Sequence, residues 1–314
     1  MDVTGILPAR LQPYQTTPAF RQSRVVESLG KVYKCHYPHM EVSSARDVKR
    51  SPLHERLVAR RAFFRDVSGW EGADWYANEG QERGVGSLSW GRHHWFGNWA
   101  AEHAAVRERV GLIDMSFMSK FLVVGRDAGR VLDRLATARV DGEEGRITYT
   151  QMLDPLGRLQ ADLTVTKLGR GALLGGRGGF LVVATDTAHR HVESLLRRGI
   201  SDLEGAWSVV DVTGGFAQLN LQGPRSRELL AAVSSADVSD AAFPFRATHE
   251  IDVGSARILA TRITYVGELG YELFVPSEVM QANEMGLGGV WWWLVGSGGG
   301  WWWLVVAGGG WWWL

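Results

Sequence analysis

The order of hydrophobic and polar residues divides most of the chain into short segments with strand or helix character. Runs rich in β-branched residues predict strands at 120–125, 162–168, 180–184, 207–213, 216–221 and 257–265. Apolar residues at helical spacing predict helices at 127–137, 187–198 and 224–234, the last with Pro224 in its first turn. Strands mixed with separate helices favour an α+β domain with a mainly antiparallel sheet and packed helices.

The first fifty residues have little periodicity and are rich in Pro, Tyr, His and Arg. This composition predicts an extended connector that lies on another surface. A short helix is expected at 23–33, where Val25, Val26, Leu29 and Val32 share one face.

A globular pattern begins at Ser51. An amphipathic helix is predicted within 51–64, from apolar residues at Leu53, Leu57, Val58, Ala62 and Phe63. A second helix is predicted at 100–116. Its inward residues would be Ala104, Val106 and Val110, and Gly111 would end it.

The C-terminal residues have a different character. Tryptophan triplets recur every ten residues at Trp291, Trp301 and Trp311, separated by Gly and Val. A repeat of the codon TGG gives Gly and Val in its other frames, so the hypothesis is translated simple-sequence DNA beyond a frameshift near Met280. A membrane or aggregation segment is the alternative. The predicted organisation is a connector at 1–50, a truncated folded domain at 51–279 and a low-complexity, non-native tail at 280–314.

Charge and cysteine content limit the classes of partner and the location that we expect. The 314 residues include 34 Lys plus Arg and 34 Asp plus Glu, so no net charge attracts nucleic acid or a membrane surface. We therefore expect a small-molecule partner. The lone Cys35 and the absence of a signal-like start indicate a cytoplasmic protein.

Two common kinds of site are not supported by the sequence. The string GRGALLG at 169–175 imitates a dinucleotide fingerprint, but a strand follows it, so a flexible hairpin is predicted. The histidine pairs at 36/39, 93/94 and 189/191 have no third ligand at zinc spacing, and no metal is predicted.

Acidic residues at strand boundaries are the better candidates for chemistry. Asp162 precedes a β-branched run, where a buried carboxylate needs partners. Such a carboxylate can stabilise a cation, although an edge-strand Asp that caps a turn is the alternative. Asp114 and Ser116 suit a turn that organises backbone N–H groups. Glu268 and Glu272 flank a Gly-marked turn, and a hairpin with exposed acids is a further alternative.

Four strings together resemble the glycine-cleavage aminomethyltransferase (T-protein) family. They are SPLH with the later GW, EHAAVRERVGLIDMS at 102–116, YTQMLDPLGRLQADLTV at 149–165 and RITYVGELGYELFV at 262–275. The resemblance implies a folate-binding fold with Asp162 as the catalytic aspartate. It also implies that the residues in contact with folate are Tyr149, Tyr265, Glu272 and Met118. Glu272 would accept two parallel pterin N–H groups.

Three further strings resemble a narrower group of proteins. GKVYKCHYP at 30–38, RDVKRSPLHERL at 46–57 and SWGRHHWF at 89–96 resemble dimethylglycine and sarcosine dehydrogenase-like proteins. Ala161 before Asp162, in place of a second acid, fits that branch. The implied function is transfer of an N-methyl-derived iminium carbon to tetrahydrofolate, giving 5,10-methylene-tetrahydrofolate. FAD would bind only in a separate N-terminal flavin domain or subunit. A non-catalytic folate-binding module and an inactive gene fragment are the alternatives.

Overall fold

The computed structural model describes residues 10–171, 176, 178–199, 205–281 and 305–307. The helices are α1 (Pro18–Lys31), α2 (His54–Ala59), α3 (Phe96–Glu108), α4 (Ala128–Leu135), α5 (His189–Arg198), α6 (Ser226–Val233) and α7 (Ser277–Gln281). The strands are β1 (Ala62–Val67), β2 (Trp70–Tyr76), β3 (Gly111–Asp114), β4 (Ser119–Val124), β5 (Ile147–Leu153), β6 (Leu159–Leu168), β7 (Gly179–Ala184), β8 (Ser208–Asp211), β9 (Phe216–Gln222), β10 (Thr248–Val253), β11 (Ala256–Thr261), β12 (Gly270–Pro276) and β13 (Val305–Ala307). Most of the predicted tail lies outside the described residues.

Two sheets form the centre of the molecule. One has the strand order β10-β11-β12-β9-β3-β13, and the other has the order β5-β6-β7-β4-β8. Among the strands that the structure describes, all pairings are antiparallel except that of β13 with β3. The predicted α+β class with a mainly antiparallel sheet is therefore confirmed.

The two sheets pack face to face, with helices on their outer faces. Phe274 of the first sheet meets Leu181 and Val183 of the second in one apolar cluster. On the outer face of the first sheet, α6 contributes Leu229 and Leu230 to the larger core. Helices α4 and α5 cover the other sheet. Side chains that point inward from both sheets therefore lie in a shielded layer.

Several predicted elements need correction. The helix predicted within 51–64 ends at Ala59, because Arg61 adopts a left-handed conformation (φ 62°) and Ala62 and Phe63 begin β1. The helix predicted at 100–116 spans Phe96–Glu108 instead, and Gly111 begins β3 rather than ending the helix. Strands β1, β2, β3 and β10 were not predicted as strands.

Helix α1 begins earlier than the predicted helix at 23–33, and its apolar face is not the one that contacts the rest of the chain. It begins at Pro18, after the N-cap Thr17, and it faces the domain with charged residues. Arg24 pairs with Asp66 at 3.0 Å, and Glu27 accepts the N–H groups of Ser43 and Ser44. The apolar face is exposed instead, at Val25, Val26, Leu29 and Val32. Partners for the charged groups decide the orientation, because burial of an unpaired charge is costly.

The tryptophan-rich stretch joins the N-terminal segment to the domain. Trp95 packs against Trp99 at a ring-centroid distance of 4.4 Å and against Trp75 at 6.1 Å. His39 of the N-terminal segment meets Trp95 edge-on at 4.8 Å. Residues 10–50 are thus packed on the domain by specific contacts. Among the described helices, none is long and apolar enough to cross a bilayer.

Candidate functional site

The β5–β6 hairpin positions the first predicted site residues. Asp154 closes its turn by accepting the N–H groups of Leu156 at 2.8 Å and Arg158 at 2.9 Å, and Gly157 supplies the positive φ of 78°. The resulting register places Asp162 opposite Gln151. Asp162 and Tyr149 consequently lie on the same face of the hairpin.

Tyr149 and Asp162 are directly bonded. The Tyr149 hydroxyl donates to Asp162 Oδ2 at 2.6 Å, and this hydrogen bond is the main cause of the raised pKa of Tyr149. The side chain of Tyr149 is 50% exposed, so its ring is available to a ligand. Asp162 is partly exposed and accepts a hydrogen bond from the Tyr149 phenol. Its carboxylate therefore has the partners that a charged group at the start of an apolar run needs.

Tyr265 is presented on the loop between β11 and β12. Gly267 turns this loop with a φ of 79°, and Arg107 of α3 holds it through an ion pair with Glu268 at 2.9 Å. Arg107 also donates to the Val266 carbonyl at 3.1 Å. The hydrogen bond with Asp162 is the main cause of the raised pKa of Tyr149, and the Tyr265 phenol adds to it. The structure thus bonds Tyr149 to Asp162, and Glu268 is a loop-fixing residue below Tyr265.

Glu272 lies on the inward face of β12. It is paired in register with Asn220 of β9, whose Nδ2 donates to Glu272 Oε1 at 3.4 Å. Burial raises the pKa of Glu272 to about 7, against the opposing effects of the Asn220 hydrogen bond and the Lys120 charge. Glu272 is therefore poised between its acid and carboxylate forms near neutral pH.

Three amides on β9 extend this polar region. Gln218, Asn220 and Gln222 alternate along the strand, share its inward face and are almost fully buried. Among the described residues, one polar atom of each has no hydrogen-bond partner: Gln218 Oε1, Asn220 Oδ1 and Gln222 Nε2. Buried polar atoms of this kind require a ligand or ordered water. The layer next to Glu272 therefore fits a heterocycle with several N–H and carbonyl groups.

Met118 follows a turn organised by Asp114. Asp114 Oδ1 accepts the Ser116 N–H at 3.0 Å, and Oδ2 accepts the Ser51 hydroxyl at 2.6 Å. Ser116 Oγ in turn accepts the Gln218 N–H at 3.1 Å. These bonds match the sequence interpretation of Asp114 and Ser116 as turn-organising residues. They also fix Met118, which packs at the edge of the inter-sheet apolar cluster.

Lys120 is a polar residue of this region that the sequence analysis did not identify. It is fully buried, and its Nζ donates to the carbonyls of Ser116 at 3.0 Å and Met118 at 2.7 Å. Burial lowers its pKa to about 7, although the charges of Asp114, Asp211 and Glu272 act in the opposite direction. The available signal was a lysine in an apolar strand that is buried on both faces.

A second polar group joins strand β4 to helix α5. Ser119 Oγ lies 2.9 Å from His189 Nδ1, and His189 Nε2 lies 3.1 Å from Asp211 Oδ2. The residue types resemble a hydrolytic triad, but Ser119 is 0% exposed and cannot reach a substrate. This group therefore ties α5 to β4 and β8.

An apolar cavity of about 390 Å³ opens between the sheets at a different place. Leu122 of β4 and Phe274 of β12 line it, together with Leu168, Leu181 and Leu259. Leu122 lies two residues after Lys120, and Phe274 lies two residues after Glu272. Each pair therefore shares one face of its strand. The predicted folate-contacting residues do not line the cavity.

Other sites considered from the sequence can be compared with the fold. GRGALLG, of which 172–175 lie outside the described residues, falls between β6 and β7, which pair antiparallel. A strand therefore follows it, as predicted. No cluster of three or more His, Cys, Asp or Glu suited to a metal occurs in the part of the chain that the structure describes.

Comparison with known proteins identifies the family of the chain. Residues 53–284 match the GCVT N-terminal domain. The chain belongs to this family. Residues 1–51 match the FAD dependent oxidoreductase central domain, so the GCVT domain here follows a segment of a flavin-enzyme family.

The GCVT chain is also similar to curated enzymes. It is 35% identical to 4-methylaminobutanoate oxidase (formaldehyde-forming) of Paenarthrobacter nicotinovorans, over 90% of this chain and 33% of that protein. It is 31% identical to mitochondrial sarcosine dehydrogenase and 32% identical to mitochondrial dimethylglycine dehydrogenase of Mus musculus. These matches cover 81% and 82% of this chain, and 31% and 29% of the relatives. The chain spans about a third of the length of these relatives.

A solved structure supports the fold assignment. The glycine cleavage system aminomethyltransferase T from Bartonella henselae superposes with a TM-score of 0.57 at 21% identity. The match covers 78% of the GCVT chain and 61% of that structure. The T-protein-like fold predicted from the sequence is therefore confirmed.

Proposed function

We propose that this chain is the folate-dependent, one-carbon-accepting part of an N-methyl amine oxidoreductase of the dimethylglycine and sarcosine dehydrogenase kind. Bound tetrahydrofolate would accept, through N5 and N10, the carbon of an iminium derived from the N-methyl group and become 5,10-methylene-tetrahydrofolate. The demethylated amine and a proton would be released. The observation that carries the proposal is the shielded carboxyl group of Glu272 beside three buried amides with unpartnered atoms. This region fits a pterin.

Glu272 is the proposed acceptor for the pterin ring. A ring N–H and an exocyclic amine form two parallel donors, which one carboxylate accepts in a bidentate pair. The neighbouring Asn220 side chain fixes one carboxylate oxygen through Nδ2 and has an unpartnered Oδ1. Met118 would contact the apolar part of the ligand. The site thus combines charge, amide and apolar surface as folate requires.

Asp162 is the proposed catalytic carboxylate. It is partly exposed and is held by the Tyr149 hydroxyl at 2.6 Å. A fixed carboxylate beside a developing iminium cation stabilises its positive charge and can move a proton at the reacting amine. The exposed rings of Tyr149 and Tyr265 provide surfaces on which the flexible middle of folate could stack.

The donor of the carbon is proposed to be a flavin domain or subunit outside these residues. The match of residues 1–51 to an FAD dependent oxidoreductase central domain supports this arrangement. FAD and the N-methyl amine would then be bound by that partner. The proposed division is 1–50, 51–279 and 280–314. The family matches at residues 1–51 and 53–284 support its first boundary. A cytoplasmic location is proposed because Cys35 is a free, exposed thiol.

The test of the proposal is calorimetric titration of the full chain with tetrahydrofolate. We expect saturable binding that is weakened about tenfold or more in Glu272→Gln, because a charged hydrogen-bond acceptor is lost. The control is Glu278→Gln, which removes an exposed acid nearby in sequence. Absence of binding by the folded wild-type chain would overturn the proposal and favour an inactive gene fragment.

A second measurement separates an enzyme from a binding module. Formation of 5,10-methylene-tetrahydrofolate from formaldehyde and tetrahydrofolate is followed with the wild-type chain and with Asp162→Asn. We expect acceleration by the wild type and its loss in the variant, with folate binding retained. Equal rates with the two proteins would favour the non-catalytic folate-binding module.

A further inference from the structure

The apolar cavity between the two sheets has a polar end that the proposed folate site does not use. On the first sheet its lining follows one row of the strand register, in which Leu259 of β11 pairs with both Glu250 of β10 and Phe274 of β12. Its opposite side is lined by three leucines of the other sheet, Leu122, Leu168 and Leu181. A cavity of about 390 Å³ with mainly apolar walls lies within the size range of small-molecule pockets.

Thr248 provides a buried polar group in this lining. Successive side chains of a strand point to opposite faces, so Thr248 shares the inward face of β10 with Glu250. His249, between them, packs against Phe243 at a ring-centroid distance of 4.6 Å. Thr248 is 8% exposed, and its Oγ1 has no hydrogen-bond partner among the described residues. A buried hydroxyl without a partner is costly, so we expect an occupant of the cavity with a complementary polar group.

Two carboxylates lie at the same end of the cavity. A side chain added at Gly171 would collide with the Glu250 carboxylate. A Cβ added at Gly169 would lie 2.9 Å from Glu144 Oε2. Both glycines begin the GRGALLG string, and their lack of side chains lets this loop approach the two acids. Glu144 and Glu250 therefore carry negative charge to the cavity from two different parts of the chain.

The basic residues of this region do not neutralise that charge inside the cavity. Lys167 pairs with Asp141 at 2.8 Å, and Arg257 pairs with Asp252 at 2.9 Å. Arg170, between the two glycines, is exposed. Within the described part of the chain, no lysine or arginine lines the cavity. An occupant with a positive charge would therefore be favoured over a negatively charged one.

We propose that this cavity binds a hydrophobic amine, with its apolar body among the leucines and its ammonium group beside Glu250, Glu144 and Thr248. An ammonium group has N–H donors and no acceptor, which matches two carboxylates and one hydroxyl oxygen. The apolar body is stabilised by leaving water. The inference does not depend on the proposed function, because the predicted folate-contacting residues do not line the cavity.

The test is calorimetric titration of the full chain with three probes that share one apolar body: phenylbutylamine, phenylbutanol and phenylbutanoate. We expect saturable binding of the amine, about tenfold or more tighter than that of the alcohol, because charge-assisted hydrogen bonds are stronger than neutral ones. The carboxylate should bind more weakly than the alcohol. No saturable binding of the amine by the folded chain, or equal affinity for the amine and the carboxylate, would overturn the proposal.

Variants locate the bound amine. Glu250→Gln should bring the affinity for the amine close to that for the alcohol, because the charge is lost while the shape is kept. Asp252→Asn is the matched control, since Asp252 lies two residues further along β10, pairs with Arg257 and does not line the cavity. Equal loss of amine binding in these two variants, or no loss in Glu250→Gln, would overturn the proposal.

Filling the cavity is an independent measurement. Leu259→Phe enlarges a lining side chain and should weaken the binding of the amine and the alcohol alike. If this variant does not fold, Thr248→Val replaces it, because it removes only the hydroxyl and should weaken amine binding severalfold. Unchanged amine binding in the variant that folds would show that the probe binds elsewhere and would overturn the proposal.

A titration with saturating tetrahydrofolate separates this cavity from the proposed folate site. The affinity for phenylbutylamine should be unchanged when folate is present. Displacement of the amine by tetrahydrofolate would overturn the proposal of a separate site. No folate binding by the wild type would refute the proposed function alone, since the amine titrations still decide whether the cavity binds its ligand.

Discussion

The Tyr149 hydroxyl and the Asp162 carboxylate form a 2.6 Å hydrogen bond across the β5–β6 pair. In the strand register Tyr149 lies opposite Thr164, so the bond to Asp162 is diagonal. It places a proton donor on the carboxylate that we propose as catalytic. The bond also fixes the orientation of an aromatic ring that is half exposed.

Tyr149→Phe should reduce the rate of methylene-tetrahydrofolate formation about tenfold, which corresponds to about 1.4 kcal/mol for one hydrogen bond to a charged group. Folate affinity should change less, because the ring surface is retained. Initial rates and calorimetry measure the two effects. Tyr33→Phe is the control, since Tyr33 is 99% exposed. A loss of affinity without a loss of rate would contradict the assigned role.

Glu272→Gln should change thermal stability in a pH-dependent way. The folded-state pKa of about 7 lies above the usual value for an unfolded chain, so the contribution of Glu272 is greatest at acidic pH. That contribution is lost as the pH rises through about 7. The Tm of Glu272→Gln relative to the wild type should therefore be higher at pH 8 than at pH 5. An equal difference at both pH values would contradict the assignment, and Glu278→Gln should show no such trend.

Asp211→Asn should destabilise the chain at neutral pH by about 1 kcal/mol, after allowance for solvent screening of a partly exposed carboxylate. Burial raises the pKa of Asp211, but hydrogen bonds from His189 and Thr213 outweigh it and hold the pKa well below its usual range. The stabilisation is therefore present above the unfolded-state pKa and is lost on acidification. The free energy of unfolding of both proteins is measured by urea denaturation. Its difference between the wild type and Asp211→Asn should be smaller at pH 3 than at pH 7. A constant difference would rule out ionisation of Asp211 as its cause.

Gly69→Ala should destabilise the chain by about 1–2 kcal/mol, because the turn between β1 and β2 needs a positive φ. The φ of Gly69 is 85°, and an added Cβ would lie 2.4 Å from the Tyr14 hydroxyl. Gly97→Ala is the control. It lies in α3 with nothing within 4 Å of the added Cβ, and it should be neutral or stabilising by about 0.5 kcal/mol. Urea denaturation of both variants measures the contrast; equal stabilities would show that the turn tolerates a side chain.

The sequence predicted secondary structure well where the local residue types favour the element that forms. β-branched runs located β4, β6, β7 and β9, because such runs fit the pleated surface of a sheet. At residues 23–33 the apolar spacing predicted a helix but did not show which of its faces would be covered. The partners of Arg24 and Glu27 lie elsewhere in the chain, so spacing alone could not show which face of α1 would be covered.

By itself the sequence determined the α+β class, the positions of about half of the strands and of helices α4, α5 and α6, and the family to which the chain belongs, since these depend on local residue order. Only the tertiary structure joined Tyr149 to Asp162. It alone showed that Lys120 is fully buried and bonded to the carbonyls of Ser116 and Met118. In the sequence, the alternating amides Gln218, Asn220 and Gln222 of β9 resemble the solvent-exposed face of a strand. Their burial follows from the second sheet that packs on them, and the identity of facing residues between sheets depends on long-range packing that no local pattern encodes.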